Sequence, residues 1–216
     1  MRRTDLVIAA VLAAFSPIAN AFEPSLDPPS LSEAIDLGQS RIDDVRSRFH
    51  ATYHVEVMQA PVDYLEVVTP FRRVALDAEA HTRAGERLYG QREALATLGD
   101  APSRLDIVIE LTFHPQNNYV GVPAFAVSLV TPGRPPVEPR ALARVPRFGP
   151  RLSATPLPYP YVAGTAAPQG SQPLLGGSVI ASFDGAVLDA RGTYVVQVRE
   201  SGKDVAKATV DLSRLR

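Results

Sequence analysis

The sequence predicts an α+β protein in which N-terminal helices and a short strand pair pack on a C-terminal antiparallel β-sandwich. Two observations carry this prediction: apolar residues recur mainly at helical spacing in the first half of the chain, and at a spacing of two in the second half. A third observation is a turn near Tyr194 that leads into two apolar runs, 195–198 and 205–212. With 216 residues, 45% of them hydrophobic, the chain is long enough for one or two domains with a substantial core.

The first 21 residues predict a secretory signal peptide. Arg2 and Arg3 form a basic start, residues 6–15 are apolar, and Ala19-Asn20-Ala21 matches an Ala-x-Ala cleavage site. A membrane anchor is the alternative, but this apolar stretch is well short of the ~20 residues that span a bilayer. We therefore expect an exported protein, periplasmic or extracellular, without a transmembrane segment after signal cleavage.

The composition excludes several kinds of site. The chain contains no cysteine, which excludes disulfides, thiolate metal sites and cysteine nucleophiles, so an exported chain of this kind must be held by its core. The formal net charge of −1 provides no field that would recruit nucleic acid, and we expect no such partner. We also expect no cofactor and no metal site, since the zinc motif His-Glu-x-x-His, phosphate-binding glycine loops and the nucleophile motif Gly-x-Ser-x-Gly are absent.

Residues 22–100 are predicted to form the helical region with its short strand pair. After an extended leader, Ser30 and Glu33 fit a capping box that starts a helix. Alternation over 52–68, interrupted at Ala60-Pro61, predicts two strands. Apolar residues at helical spacing predict one continuous buried helix face before these strands, at Leu31, Ile35, Ile42, Val45 and Phe49.

Two more helices are predicted before the sandwich begins. Thr69 and Pro70 are a typical N-cap and first residue of a helix that ends near residue 84. A short helix follows from about Gln91, and Gly99 closes it. The region therefore ends at about residue 100.

Two arginines are unusual for the start of a helix. Arg72 and Arg73 lie in its first turn, where the positive end of the helix dipole disfavours cations. Either they answer an anion or acidic neighbours, with Asp77 within reach of Arg73, or the segment 70–84 is a strand. The sequence leaves both interpretations open.

Residues 104–216 are predicted to form the β-sandwich. The clearest alternation of apolar and polar residues runs over 105–113, and further strands are predicted at 125–129 and 179–183. Residues 132–173 differ, because proline and arginine repeatedly interrupt any period. We expect an irregular or extended excursion there.

The turn before the last two strands has a recognisable spacing. Asp189, Gly192 and Tyr194 suit a chain that turns tightly and enters a strand, with the phenol hydroxyl bonding back to the turn. This spacing resembles the tyrosine corner of immunoglobulin-like domains, although the cysteines and tryptophan of antibody domains are absent. The resemblance implies an immunoglobulin-like sandwich and brings no activity with it.

The most site-like stretch is the loop 114–123, which joins two strongly predicted strands. It contains more hydrogen-bonding side chains than a tight turn requires, and loops at the ends of sandwiches carry recognition. Amides and an aromatic ring suit sugars or extended peptides. The alternative is a structural turn, since Asn and Pro are common turn formers. The candidate binding residues are His114, Gln116, Asn117, Asn118 and Tyr119.

The Pro/Arg-rich excursion is the second candidate site. Its arginines share the span with a single acid, Glu138. Such a strip suits an anionic envelope polymer, or offers a polyproline II face to a partner. The alternative is a long surface crossover whose arginines are solvated or paired with acids elsewhere. The candidate residues are Arg140, Arg144, Arg147 and Arg151.

From these observations we expect an exported, non-enzymatic binding or structural module of the bacterial cell envelope. It would recognise an envelope protein or an anionic envelope polymer through sandwich loops. The alternative is a hydrolase acting on envelope carbohydrate or peptide, with His114 as its base in a cleft between the two regions. Whether any catalytic activity exists stays open at this point, as does the oligomeric state.

Overall fold

The computed structural model describes residues 21–86, 88–114, 116–149 and 172–216. The predicted signal peptide lies outside these ranges except for Ala21, and Arg151 lies outside them as well. Four α-helices and two antiparallel sheets make up the described part of the chain, which is α+β as predicted. None of the helices in the described ranges is long and apolar enough to cross a membrane.

The helices all precede the third strand. They are α1 Pro28–Gly38, α2 Asp43–Ala51, α3 Pro70–Arg83 and α4 Gln91–Leu98. The strands are β1 His54–Gln59, β2 Val62–Val68, β3 Arg104–Thr112, β4 Phe125–Val130, β5 Ala141–Phe148, β6 Leu174–Asp184, β7 Thr193–Glu200 and β8 Lys203–Asp211. Short 3₁₀ turns follow β6 at Gly185–Val187 and β8 at Leu212–Arg214.

The strands form a five-stranded sheet and a three-stranded sheet. Their orders are β1-β2-β3-β6-β5 and β4-β7-β8, with every neighbouring pair antiparallel. Because β2 is hydrogen-bonded to β3, the strand pair of the predicted helical region and the first predicted sandwich strand lie in one sheet. The two sheets also meet at one side, where Lys207 N on β8 donates to Gln59 Oε1 on β1 over 3.2 Å.

The main core lies between the two sheets. Successive side chains of a strand point to opposite faces of the sheet, so the apolar residues at every second position of β3 all face inward. These residues are fully buried. They pack with apolar residues of β2, β4, β6, β7 and β8 in one continuous cluster. The central members from β3, β4 and β7 are Leu105, Ile107, Ile109, Leu111, Val127, Leu129, Val196 and Val198.

The helices have a second, smaller core. Its buried members come from α1, α3, α4 and the chain before α4, and they include Ala34, Phe71, Val74 and Leu98. Phe49 of α2 packs against both this cluster and the core between the sheets. The helical layer is therefore joined to the sandwich through α2 as well as through the covalent chain.

The start of α1 differs from the prediction. The helix begins at Pro28, and the side chain of Asp27, not of Ser30, caps it: Asp27 Oδ1 accepts a hydrogen bond from Ser30 N at 2.8 Å. The capping-box prediction was wrong because the prolines after Asp27 suit the first turn of a helix, which moves the start upstream. Glu33 pairs with Arg216 instead. The hydrogen bond from Ser30 N lowers the pKa of Asp27.

The prediction of one continuous helix up to Phe49 is also wrong. The first helix ends at Gly38, and a second helix begins at Asp43. Gly38 lies against α3, where an added Cβ would come 2.3 Å from the carbonyl oxygen of Ala75. The close approach of α1 to α3 thus requires glycine, and the chain turns away after this contact. Ile42, on the predicted buried stripe, is consequently 61% exposed.

The helix interpretation of residues 70–84 is confirmed by α3. Thr69 Oγ1 accepts a hydrogen bond from Arg72 N at 3.1 Å, so Thr69 is the predicted N-cap. The short helix α4 is confirmed too, and Gly99 ends it with a φ of +55°. Glycine adopts this left-handed backbone region with little strain.

Acidic side chains form ion pairs with the two arginines at the start of α3. Arg72 donates to Glu66 Oε2 at 2.9 Å and to the carbonyl of Val67 at 2.7 Å. Arg73 donates to Asp106 Oδ2 at 3.0 Å. Asp77, the predicted partner, instead accepts a hydrogen bond from Thr97. Both guanidinium groups thus connect α3 to the five-stranded sheet.

The predicted hydrogen bond at the turn before β7 is present. The hydroxyl of the buried Tyr194 accepts from Asp189 N at 2.8 Å, and Asp189 Oδ1 accepts from Arg191 N at 3.0 Å. Gly192 is needed here, because a Cβ at this position would lie 2.8 Å from the ring of Tyr194. The tyrosine therefore fastens the turn to the sandwich without a disulfide.

Replacing Tyr194 with phenylalanine is expected to lower the free energy of unfolding by about 0.5–1.5 kcal/mol. The loss leaves Asp189 N without its partner, while the packing of the ring is kept. Urea denaturation followed by circular dichroism measures the difference. Tyr119→Phe is the matched control, because the Tyr119 side chain is exposed; an equal loss in both variants would contradict the role of the Tyr194 hydroxyl.

The described part of the 132–173 excursion is more regular than predicted. Residues 141–148 form β5, an exposed edge strand paired with β6. Pro146 is accommodated because an edge strand needs hydrogen bonds on one side only. Val137 forms an isolated bridge with Leu129 of β4.

Candidate functional site

The 114–123 loop lies at one end of the sandwich. It leaves β3 after Thr112, which pairs with Gly176 near the start of β6. It enters β4 at Phe125, which pairs with Glu200 next to the turn between β7 and β8. The loop, the start of β6 and the β7–β8 turn are therefore neighbours, at the end opposite the Gly185–Val187 turn.

Asn117 organises this loop from within. Its side-chain nitrogen donates to the carbonyl oxygen atoms of His114 at 2.7 Å and Leu174 at 2.8 Å. Its side-chain oxygen accepts from Tyr119 N at 2.9 Å. The amide of Asn117 is thus occupied by groups of the protein, and it ties the loop to β6.

His114 is exposed and makes a local hydrogen bond. Its Nδ1 accepts from Gln116 N at 3.2 Å. A hydrolytic base needs an unprotonated nitrogen aimed at its substrate and a group that orients the ring. Among the described hydrogen bonds and ion pairs, none joins the His114 ring to a nucleophile or a carboxylate.

The outer surface of the loop combines apolar and amide groups. The ring of Tyr119 is tilted against the buried ring of Phe113, with their centroids 5.0 Å apart, and remains 44% exposed. Val120 next to it is 96% exposed. Gln116 and Asn118 are exposed as well. The loop therefore presents an anchored aromatic ring and an aliphatic side chain between polar amides.

Two arginines of β5 brace the ends of the loop. Arg144 donates to the carbonyl oxygen atoms of Pro123 at 3.2 Å and Phe125 at 3.4 Å, where the loop enters β4. Arg147 donates to the carbonyl oxygen of Leu111 at 3.0 Å, where β3 ends. The two candidate regions of the sequence are therefore connected, with the arginines supporting the loop.

The remaining described candidate, Arg140, lies away from the loop. It pairs with Asp184 at the far end of β6. Arg140, Arg144 and Arg147 are thus each engaged by oxygen atoms of the protein, at separate places along β5. In the described part of the chain these side chains form ion pairs and hydrogen bonds within the protein.

No family model, curated protein or solved structure matches this chain. Its function is therefore inferred from the geometry of the sites themselves.

No group of three or more His, Cys, Asp or Glu side chains in the described ranges could hold a metal ion.

A cavity of about 420 Å³ was not indicated by the sequence. It lies between the end of α2, β1, β8 and the final 3₁₀ turn, and Arg48, His54 and Arg214 contribute to its wall. These residues belong to distant parts of the chain and form no local motif, so no spacing pattern could have grouped them. The pairing of β1 with β2 and the contact of β1 with β8 bring them together.

Proposed function

We propose that this protein is an exported, non-enzymatic binding module of the bacterial cell envelope that recognises its partner through the 114–123 loop. The observation that carries the proposal is the internal fixation of this loop by Asn117, which leaves Tyr119 and Val120 exposed. A preorganised loop loses little conformational entropy on binding, so its contacts contribute more fully to affinity. The predicted signal peptide supports an envelope location.

An immunoglobulin-like architecture is part of the proposal. If β2 to β8 are labelled A to G, the two sheets have the orders A-B-E-D and C-F-G, which constant-type immunoglobulin domains share. Tyr194 then lies at the start of strand F, where the tyrosine corner occurs in that family. On this assignment β1 is an additional edge strand and the 114–123 loop is the B–C loop, a position used for recognition in variable domains.

A protein is the partner class that the loop favours within this proposal. An exposed aliphatic side chain beside an anchored tyrosine is typical of the apolar centre of a protein interface. The amides of Gln116 and Asn118 are placed to supply hydrogen bonds around that centre. An anionic polymer finds less support at this end of the sandwich, because Arg144 and Arg147 are engaged in bracing the loop.

Site-specific photo-crosslinking in intact cells tests the proposal. A photoreactive residue at Val120 is expected to give a discrete adduct with one envelope protein. The same residue at Val187, which is 65% exposed at the opposite end of the sandwich, is the matched control and is expected not to give it. Identical adducts from both positions, or none from Val120, would overturn the loop assignment.

Tyr119→Ala is expected to lower the yield of the Val120 adduct by about tenfold or more, because aromatic anchors dominate interface energetics. The free energy of unfolding should change by no more than about 1 kcal/mol, since the ring is partly exposed. Quantified adducts and urea denaturation measure the two effects. Leu95→Ala on α4, also an exposed apolar residue, should leave the yield unchanged. An unchanged yield with Tyr119→Ala would contradict the proposal.

A further inference from the structure

We propose that the cavity between α2 and β8 binds a small organic anion, independently of the 114–123 loop. The cavity has a volume of about 420 Å³, within the range of about 300–1,000 Å³ that is usual for small-molecule sites. Its wall is formed by the last turn of α2, by β1, by β8 and by the residues around the final 3₁₀ turn. It is thus a pocket between the helical layer and an edge of the sandwich.

The charges of the wall favour an anion. Arg48 and Arg214 both border the cavity and are exposed, and neither takes part in the ion pairs of the described residues. The acid of the wall is Asp211, whose Oδ1 accepts from Ser213 N at 3.0 Å and from Ser213 Oγ at 2.6 Å. Two uncompensated guanidinium groups therefore outnumber one carboxylate that already has partners.

The arginines of β5 differ from these two in their contacts. Arg144 and Arg147 were candidates for anion binding, but protein oxygen atoms occupy them. Arg48 and Arg214 keep their donor groups available in the described part of the chain. A guanidinium group binds a carboxylate or a phosphate through two parallel hydrogen bonds, so a pair of them at one pocket suits such a group.

The end of α2 does not itself attract an anion. The helix ends at Ala51, so its carbonyl end, which carries the negative pole of the helix dipole, faces this region. Arg48 lies in this last turn, so its side chain shares the region with that pole. Anion affinity must then come from the arginine side chains, and it should depend on each of them.

Part of the wall is apolar and accessible. It includes Ala51, which is exposed, and Val55, which is half-buried, and it continues into buried core residues such as Val210. An inorganic ion would leave this surface uncovered, whereas a ligand with an apolar body would bury it. The ligand class that fits the whole cavity is therefore a carboxylate or phosphate on a small apolar body.

Three probes separate these contributions. Phenyl phosphate carries both the anion and the apolar body, inorganic phosphate carries only the anion, and benzyl alcohol carries only the body. In ¹⁵N-resolved NMR titrations of the purified protein, phenyl phosphate is expected to shift the amides of Ala51, Val55 and Val210 saturably. It should bind at least about tenfold more tightly than either other probe. Equal affinity for phenyl phosphate and one of the others would overturn the proposed ligand class.

Charge-neutral variants test the two arginines. Arg48→Gln and Arg214→Gln are each expected to weaken phenyl phosphate binding by about tenfold or more, because each removes a charge-assisted hydrogen bond. Arg134→Gln is the matched control, as it removes one exposed arginine from the connection between β4 and β5. The same loss in all three variants would reduce the effect to net charge and overturn the site, as would an unchanged affinity in Arg48→Gln and Arg214→Gln.

Discussion

Replacing Asp106 with alanine is expected to lower the free energy of unfolding by about 3–5 kcal/mol, the usual cost of breaking a buried ion pair from one side. Asp106 Oδ2 accepts hydrogen bonds from Arg73 at 3.0 Å and Arg104 at 3.1 Å. Its Oδ1 accepts from Ser182 Oγ at 2.6 Å. One carboxylate thus joins α3, β3 and β6.

The expected loss of stability is large because the Arg73 side chain is buried and has little access to solvent. Its side chain is 10% exposed, and its Nη1 already lacks a hydrogen-bond partner in the described structure. Burial lowers the pKa of Arg73, and the negative charge of Asp106 acts in the opposite direction. The arginine nevertheless stays protonated at neutral pH. Removal of the carboxylate therefore leaves a buried positive charge with a single backbone carbonyl, that of Arg104.

Guanidinium chloride denaturation measures the effect of Asp106→Ala. Asp36→Ala is the control, since Asp36 is an exposed acid of α1; its loss should stay within about 0.5 kcal/mol. The double variant Arg73→Met with Asp106→Leu should be more stable than Asp106→Ala alone, because no buried charge is left unpaired. A loss below about 1 kcal/mol for Asp106→Ala would contradict the buried ion pair.

Phe183→Ala is expected to cost about 3–5 kcal/mol, the range for deleting a buried aromatic ring. Phe183 on β6 is 1% exposed and lies opposite Leu105 of β3, in the core between the sheets. A cavity of that size would remain largely unfilled, because the packed strands around it can relax only partly.

The matched control for Phe183→Ala is Phe148→Ala, which removes the same ring at a position 47% exposed. The expected loss in the free energy of unfolding is within about 1 kcal/mol, because a half-exposed ring buries less apolar surface on folding. Thermal and chemical denaturation of both variants measure the difference. Equal losses would contradict the placement of Phe183 in the core.

Several strand and helix positions after residue 68 followed closely from local pattern. The alternation over 105–113 predicts β3, and Thr69 and Gly99 predict the bounds of α3 and α4. The failures came where two local signals competed. Asp27 and Ser30 both suit an N-cap, and the position of the prolines decided between them.

The candidate site was only partly accessible to sequence reasoning. Turn composition was enough to locate the 114–123 loop, because amides and proline between two strands are visible in a single sequence. Turn composition could not show that Asn117 is held by internal hydrogen bonds while Tyr119 is exposed, since the hydrogen bond from Asn117 to Leu174 joins residues far apart in the chain. The same holds for Arg144 and Arg147, whose partners lie on β3 and β4.

By itself, the sequence determined the α+β class, the absence of disulfides, most element positions and the hydrogen bond of Tyr194 to its own turn. These depend on steric and hydrogen-bonding preferences that act within a few residues. Only the tertiary structure decided that β2 pairs with β3, that Asp106 neutralises Arg73, and that Arg48 and Arg214 border one cavity. The physical reason is that partners for buried charges and walls of pockets are chosen by long-range packing, which no local spacing encodes.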